Sequence, residues 1–160
     1  YVVHHELLWT MDGTSVSLAA QAAVDKLKHD PKWKKNLPLI QSDNGSSYIA
    51  GDLADWLRDR GMDHIRGAPL HPQTQGKIER WHQTLKNRIL LENYYLPGDL
   101  EAKVGDFVAH YNHLRYHESI ANLTPADVYF GRGQTILLER ERIKRQTIKT
   151  RRLHHRGNAA

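Results

Sequence analysis

Between residues 15 and 65 the chain alternates between two hydrophobic periods, and this restricts its architecture more than any other feature. Ser15 to Lys28 carries apolar residues at Val16, Ala19, Ala20, Ala23, Val24 and Leu27. That is the 3.6-residue repeat of a helix with one buried face, and it predicts a Ser or Thr cap at its start. Pro31 bars its continuation. Leu37-Pro38-Leu39-Ile40 is then a short apolar run that ends in Ser42-Asp43-Asn44-Gly45, the pattern of a buried strand entering a turn. Gly51 to Arg60 returns to helical spacing with Leu53, Trp56 and Leu57 inward and Gly61 as its stop, and Met62 to Ile65 reads as another strand. Helices alternating with short strands agree with an α/β sheet, which builds its sites at the carboxyl ends of its strands. Asp43 stands at such an end.

Upstream, Tyr1 to Trp9 reads as a strand and Met11-Asp12-Gly13-Thr14 as a turn. Downstream, helical patterns run from about Gln75 to Leu91 and from about Leu100 to Leu114. A short helix is expected at Thr124-Pro125-Ala126-Asp127, with Thr124 as cap and Pro125 at its first position. On the Gln75–Leu91 helix, Ile78, Trp81, Leu85 and Ile89 form the expected core stripe, while Glu79, Gln83 and Lys86 recur near another azimuth. The tryptophans are expected in the core.

The 160 residues fit one domain and bury a core without staples; with no cysteine, disulfide frameworks and thiolate zinc sites are excluded. No apolar run reaches the roughly 20 residues that cross a bilayer. No membrane association is expected, and the cytosol is the default compartment. The net charge of +5 is uneven, since Glu139 to Arg156 holds eight Arg or Lys against two Glu, leaving residues 1–138 at −1. Such a tail is either a solvated end or a grip on nucleic-acid phosphates.

Taken singly, the polar residues say little. Asp43 in Ser-Asp-Asn-Gly is ordinary turn chemistry, and Glu79 and Lys86 are ordinary helix-surface residues. Eleven histidines include His113 and His117 at i, i+4, but no His-Glu-x-x-His occurs and this pair lacks an obvious third ligand, so a zinc site is not expected.

The joint pattern is more specific. Asp43 and Glu79 enclose 35 residues, Ser42-Asp43-Asn44-Gly45-Ser46-Ser47-Tyr48 surrounds the first, and His71-Pro72-Gln73-Thr74-Gln75-Gly76-Lys77-Ile78-Glu79-Arg80 leads into the second. Tyr111-Asn112, Arg115, His117 and Leu123-Thr124-Pro125 follow in order. This set resembles the bacterial insertion-sequence transposases that share the retroviral integrase core, whose signature is two aspartates and a glutamate with thirty-five residues before the last. The resemblance spans almost Tyr1 to Arg132. It implies a ribonuclease H-like mixed sheet flanked by helices, lacking its first strands, over residues 1–132, followed by a basic C-terminal arm over 133–160.

It further implies Asp43 and Glu79 as catalytic, metal-holding carboxylates for Mg²⁺ or Mn²⁺, two ions in a complete site, with Gln75 and Lys86 contacting DNA beside them. Arg140, Arg142, Lys144, Arg145, Arg151 and Arg152 of the arm are expected to add nonspecific DNA affinity. The implied reaction is phosphodiester hydrolysis at a transposon end followed by attack of the freed 3′-hydroxyl on target DNA. A homo-oligomer in the bacterial cytoplasm, associated with the nucleoid, goes with it. The family's first aspartate lies before the segment with which this chain begins, so an N-terminal truncation is expected; Asp12, 31 positions before Asp43, is the tempting substitute. Two alternatives follow: a fragment of an active core, or an inactive remnant that only binds DNA or a transposase partner. A ribonuclease H-like nuclease without strand transfer is a further rival.

Overall fold

A computed structural model describes residues 1–28, 30, 33, 38–49, 51–67 and 76–157. Their order is α1 (Gly13–Lys28), β1 (Ile40–Ser42), α2 (Ser46–Ile49), α3 (Gly51–Asp59), β2 (His64–Arg66), α4 (Gly76–Ile89), α5 (Pro97–His113), a 3₁₀ turn (Glu118–Ile120), α6 (Pro125–Tyr129) and α7 (Gly133–Gly157). Two compact units divide them, Val2–Val108 and Tyr1 with Ala109–Ala160.

In the first unit the expected alternation is present. β1 and β2 pair in parallel, with Ile40 opposite His64, Gln41 opposite Ile65 and Ser42 opposite Arg66. Parallel neighbours need a crossover, and α2 and α3 supply it. The core forms where the predicted helical faces meet: Val24 of α1, Leu53 and Leu57 of α3 and Met62 are buried together, with Val16, Ile40, Tyr48 and Trp56 packed against them. Gly61 ends α3 with φ +61°, a left-handed conformation in which a Cβ is strained.

Several expectations shift. α1 begins two residues early because Asp12, not a Ser or Thr, caps it: its Oδ1 accepts the Ser15 amide at 2.7 Å and its carbonyl accepts the Val16 amide at 3.1 Å. Tyr1 to Trp9 forms no strand, since a strand exists only through ladder bonds to a neighbour and none pairs with this segment among the described residues. Trp9 is accordingly 88% exposed and is no part of a core. β1 lies later than the apolar run suggested, so Asp43 follows it directly; Leu37 is outside the described residues. Ile78 is 47% exposed, whereas Trp81, Leu85 and Ile89 of the same stripe are half-buried.

In the second unit, Leu123, Thr124, Pro125 and Ala126 are buried, and Tyr1 stacks on Tyr129 with ring centroids 4.4 Å apart. The expected cap at α6 is present as a full reciprocal pair: Thr124 Oγ1 accepts the Asp127 amide at 3.2 Å, and Asp127 Oδ2 accepts the Thr124 amide at 3.2 Å. Two otherwise orphaned donors are thereby satisfied in a buried setting. Thr124→Ala should therefore lower unfolding free energy by about 1 kcal/mol, with Thr124→Ser recovering most of it, as read from urea midpoints. An unchanged midpoint in the alanine variant would show the cap to be dispensable.

Candidate active site

The turn after β1 holds Asp43 by a dense set of short bonds. Asp43 Oδ1 accepts the Gly45 amide at 2.9 Å, an Asx turn that folds the carboxylate over the residues that follow it. A Cβ at Gly45 would lie 3.0 Å from that same oxygen, so any larger residue there would push the Asp43 carboxylate aside. The loop after β2 fastens the turn from the other side: the Gly67 amide donates to the Ser42 carbonyl at 3.0 Å, and Asn44 Nδ2 donates to the Gly67 carbonyl at 2.8 Å. Beneath it Ser42 is buried, its hydroxyl donating to the Asp43 carbonyl at 2.8 Å and lying 2.8 Å from His64 Nε2. With its one proton given to the carbonyl, the Ser42 oxygen accepts from an Nε2–H of His64.

Burial, and secondarily the charge of Arg66, pushes the His64 ring below its ordinary value of 6.5. His5 and His117 are lowered as well, each first by burial. Folding thus disfavours the protonated rings, and the unfolded chain binds those protons more readily. Stability should fall as pH drops below about 6.5 and level off once the folded values are passed. Urea midpoints at pH 7.5, 6.0 and 5.0 check this, and His64→Gln should remove part of the decline. A midpoint that rises on acidification would contradict it.

Glu79 arrives from a separate element, the first turn of α4. A pocket of about 500 Å³ is lined by both carboxylates, together with Gln41, Ser42, Tyr48, Lys77, Ile78 and His82. Thirty-five intervening residues thus bring Asp43 and Glu79 to one cavity. Both are exposed. Among the described residues, Asp43 makes its side-chain bond through Oδ1 alone, and Glu79 has no side-chain hydrogen bond or ion pair. Two carboxylates with uncommitted oxygens on one pocket are the donor type that hard divalent cations prefer. Among the described residues no group of three or more His, Cys, Asp or Glu converges on a metal position.

Lys86 lies seven residues beyond Glu79 on α4, roughly 10 Å along the axis, and is not among the pocket's lining residues. Gln75 lies outside the described residues. Six lining residues were not expected as site residues, among them Gln41, Lys77 and His82. The available signal was helical: His82 is three residues after Glu79, the spacing at which side chains become neighbours. Asp12 has local work instead, its carboxyl held below the usual range first by the Ser15 amide and hydroxyl and then by Thr10. Of the arm residues, Arg140 donates to the carbonyls of Ala121 and Asn122 at 3.3 and 2.9 Å; Arg142, Lys144, Arg145, Arg151 and Arg152 lie exposed on α7.

Asp43 at the carboxyl end of a parallel strand pair and Glu79 on a following helix line one pocket, and residues 60–125 match the family model described as "Integrase core domain". The chain has the fold of integrase catalytic cores, ribonuclease H-like. Its structure is similar to the crystal structure of the catalytic core domain of BIV integrase, with a TM-score of 0.59 at 23% identity, covering 82% of this chain and 80% of that one. In sequence it is 29% identical over 126 residues to the protein named "Putative integrase ORF3" of Spiroplasma virus SpV1-C74, covering 68% of this chain. It is 42% identical over 50 residues to the Gag-Pro-Pol polyprotein of Squirrel monkey retrovirus. The chain spans 35% of the first of these relatives and 3% of the second. Among the described residues no helix is long and apolar enough to cross a membrane.

Proposed function

We propose that this chain is part of a catalytic core for metal-dependent DNA strand cleavage and strand transfer, as in transposition of an insertion sequence. The observation that carries the reading is the shared pocket of Asp43 and Glu79, two carboxylates from separate elements. Mg²⁺ or Mn²⁺ held by them would draw charge from a phosphodiester oxygen and make a bound water or 3′-hydroxyl a better nucleophile. The chain's own residues provide the rest. Asp43 is held in place by Gly45 and by the Asn44–Gly67 bond, and Glu79 by the helix. Lys77 and His82 stand on the same pocket wall, where the Lys77 ammonium attracts the DNA backbone. Lys86 and Gln75 are proposed to position phosphates farther along the strand. The reaction needs no covalent protein intermediate. The proposed partners are transposon-end and target DNA and further copies of the chain, in a bacterial cytoplasm.

The donor set gives one specific ground for a second reading, a remnant that only binds DNA or a transposase partner, since the two carboxylates on the pocket among the described residues are fewer than a two-ion site uses. A labelled duplex incubated with the chain and Mn²⁺, with nicked and joined products scored separately, decides between them. Nicking that disappears in Asp43→Asn supports the catalytic reading, and joined products extend it to strand transfer. Nicking that survives in both Asp43→Asn and Glu79→Gln rejects the site. Binding of duplex with no nicking favours the remnant.

A further inference from the structure

The basic arm is a single helix, α7, and its continuity from Gly133 to Gly157 turns a charge run into a geometry. At 100° per residue, Arg142, Arg145, Lys149, Arg152 and Arg156 follow one another at steps of three, four, three and four residues. They fall within about 80° of one another and extend roughly 21 Å along the axis. Lys144 and Arg151 lie outside it, roughly 120° and 140° from its centre. All seven are exposed.

The same helix offers no apolar seam. Leu138, Ile143, Ile148 and Leu153 are 62%, 50%, 40% and 59% exposed, and their five-residue spacing winds them around the helix rather than along it. A second copy or a protein groove would find no stripe to bury. A linear polyanion would find a line of cations.

The line is uneven. Arg142 is paired with Glu139 at 2.6 Å, and Arg145 with Glu141 at 2.9 Å. Both pairs place the glutamate one turn N-terminal to its arginine, the favourable direction on a helix. Lys149, Arg152 and Arg156 have no hydrogen bond or ion pair among the described residues.

We propose that this face of α7 is a phosphate-tracking stripe for duplex DNA, effective at Lys149, Arg152 and Arg156 and attenuated by Glu139 and Glu141 at Arg142 and Arg145. It rests on the reading of the chain as a DNA-acting core. A duplex carries one phosphate per about 1.7 Å of axis, so roughly a dozen lie along a stripe of this length. Only those within reach of an unpaired cation release counterions on binding. Lys144 and Arg151 carry the same charge but face away, which separates the stripe from a merely basic helix.

The test uses the 160-residue chain, a fluorescent 20-base-pair duplex and anisotropy titrations between 50 and 200 mM KCl. Lys149→Gln/Arg152→Gln should lower the slope of log affinity against log salt by about 2, at about 0.9 per lost contact. Lys144→Gln/Arg151→Gln, matched in charge and nearly in helix propensity, should lower it by less than about 0.5 on the same scale. Glu139→Gln/Glu141→Gln should tighten binding several-fold by releasing two arginines. Equal losses in the two basic double variants overturn the stripe while leaving DNA binding in place. Unchanged affinity in the glutamate variant overturns the attenuation. Wild-type chain with no salt-dependent affinity for the duplex overturns the DNA reading itself.

Discussion

Asp43→Asn and Glu79→Gln should each weaken Mn²⁺ binding to the chain by at least about tenfold, because even residues that only orient a metal ligand are worth 10- to 100-fold in affinity. Each substitution keeps the shape and removes one charged oxygen donor. The two carboxylates line one pocket and come from elements far apart in sequence, so an ion between them loses half of its charged protein ligands in either variant. Coupling is the sharper part of the expectation. If both hold the same ion, the double variant loses far less than the sum of the two single losses, because the second substitution acts on a site already empty. Isothermal titration with Mn²⁺ on the four proteins reads this directly. Full additivity would mean that the two carboxylates act at separate places, and unchanged affinity in both single variants would remove the metal role altogether. Gly45→Ala bears on the same geometry, since its Cβ would sit 3.0 Å from Asp43 Oδ1.

Leu53→Ala should destabilise the chain by about 3 kcal/mol, within the 2 to 5 kcal/mol found for emptying a packed Leu site. Leu53 is 1% exposed and lies on α3 in the cluster with Val24, Leu57 and Met62. Truncation there removes apolar surface from burial and leaves a void among Val24 of α1, Leu57 and Met62, near Ile40 at the start of β1. Leu53→Met, which nearly conserves volume, should cost less than about 1.5 kcal/mol. Leu18→Ala on the 66%-exposed face of α1 should stay within about 0.5 kcal/mol. Urea unfolding measures all three. Equal effects at positions 18 and 53 would place the core elsewhere.

Local chemistry made much of this molecule legible in advance. The α1 and α3 faces, the stop at Gly61, the cap at Thr124 and the position of Asp43 at a strand end each follow from a few adjacent residues, because propensity, capping and periodicity are short-range. The thirty-five-residue interval marked Asp43 and Glu79 as a pair through its resemblance to a known core. Errors came where an element depends on a neighbour. Tyr1 to Trp9 has strand composition, yet no strand exists without a partner to bond, and the cap of α1 went to Asp12, whose carboxylate outcompetes the nearby hydroxyls for the Ser15 amide.

What periodicity could not supply is which distant groups meet. Lys77 and His82 became lining residues of the Asp43 pocket only when α4 was placed beside β1, and His64 came to brace Ser42 only through strand pairing. Likewise, the charge of the arm was plain from composition. Its division into paired arginines, a line of unpaired cations and two cations on another face required an unbroken α7, because a charge acquires direction only when the backbone beneath it is fixed.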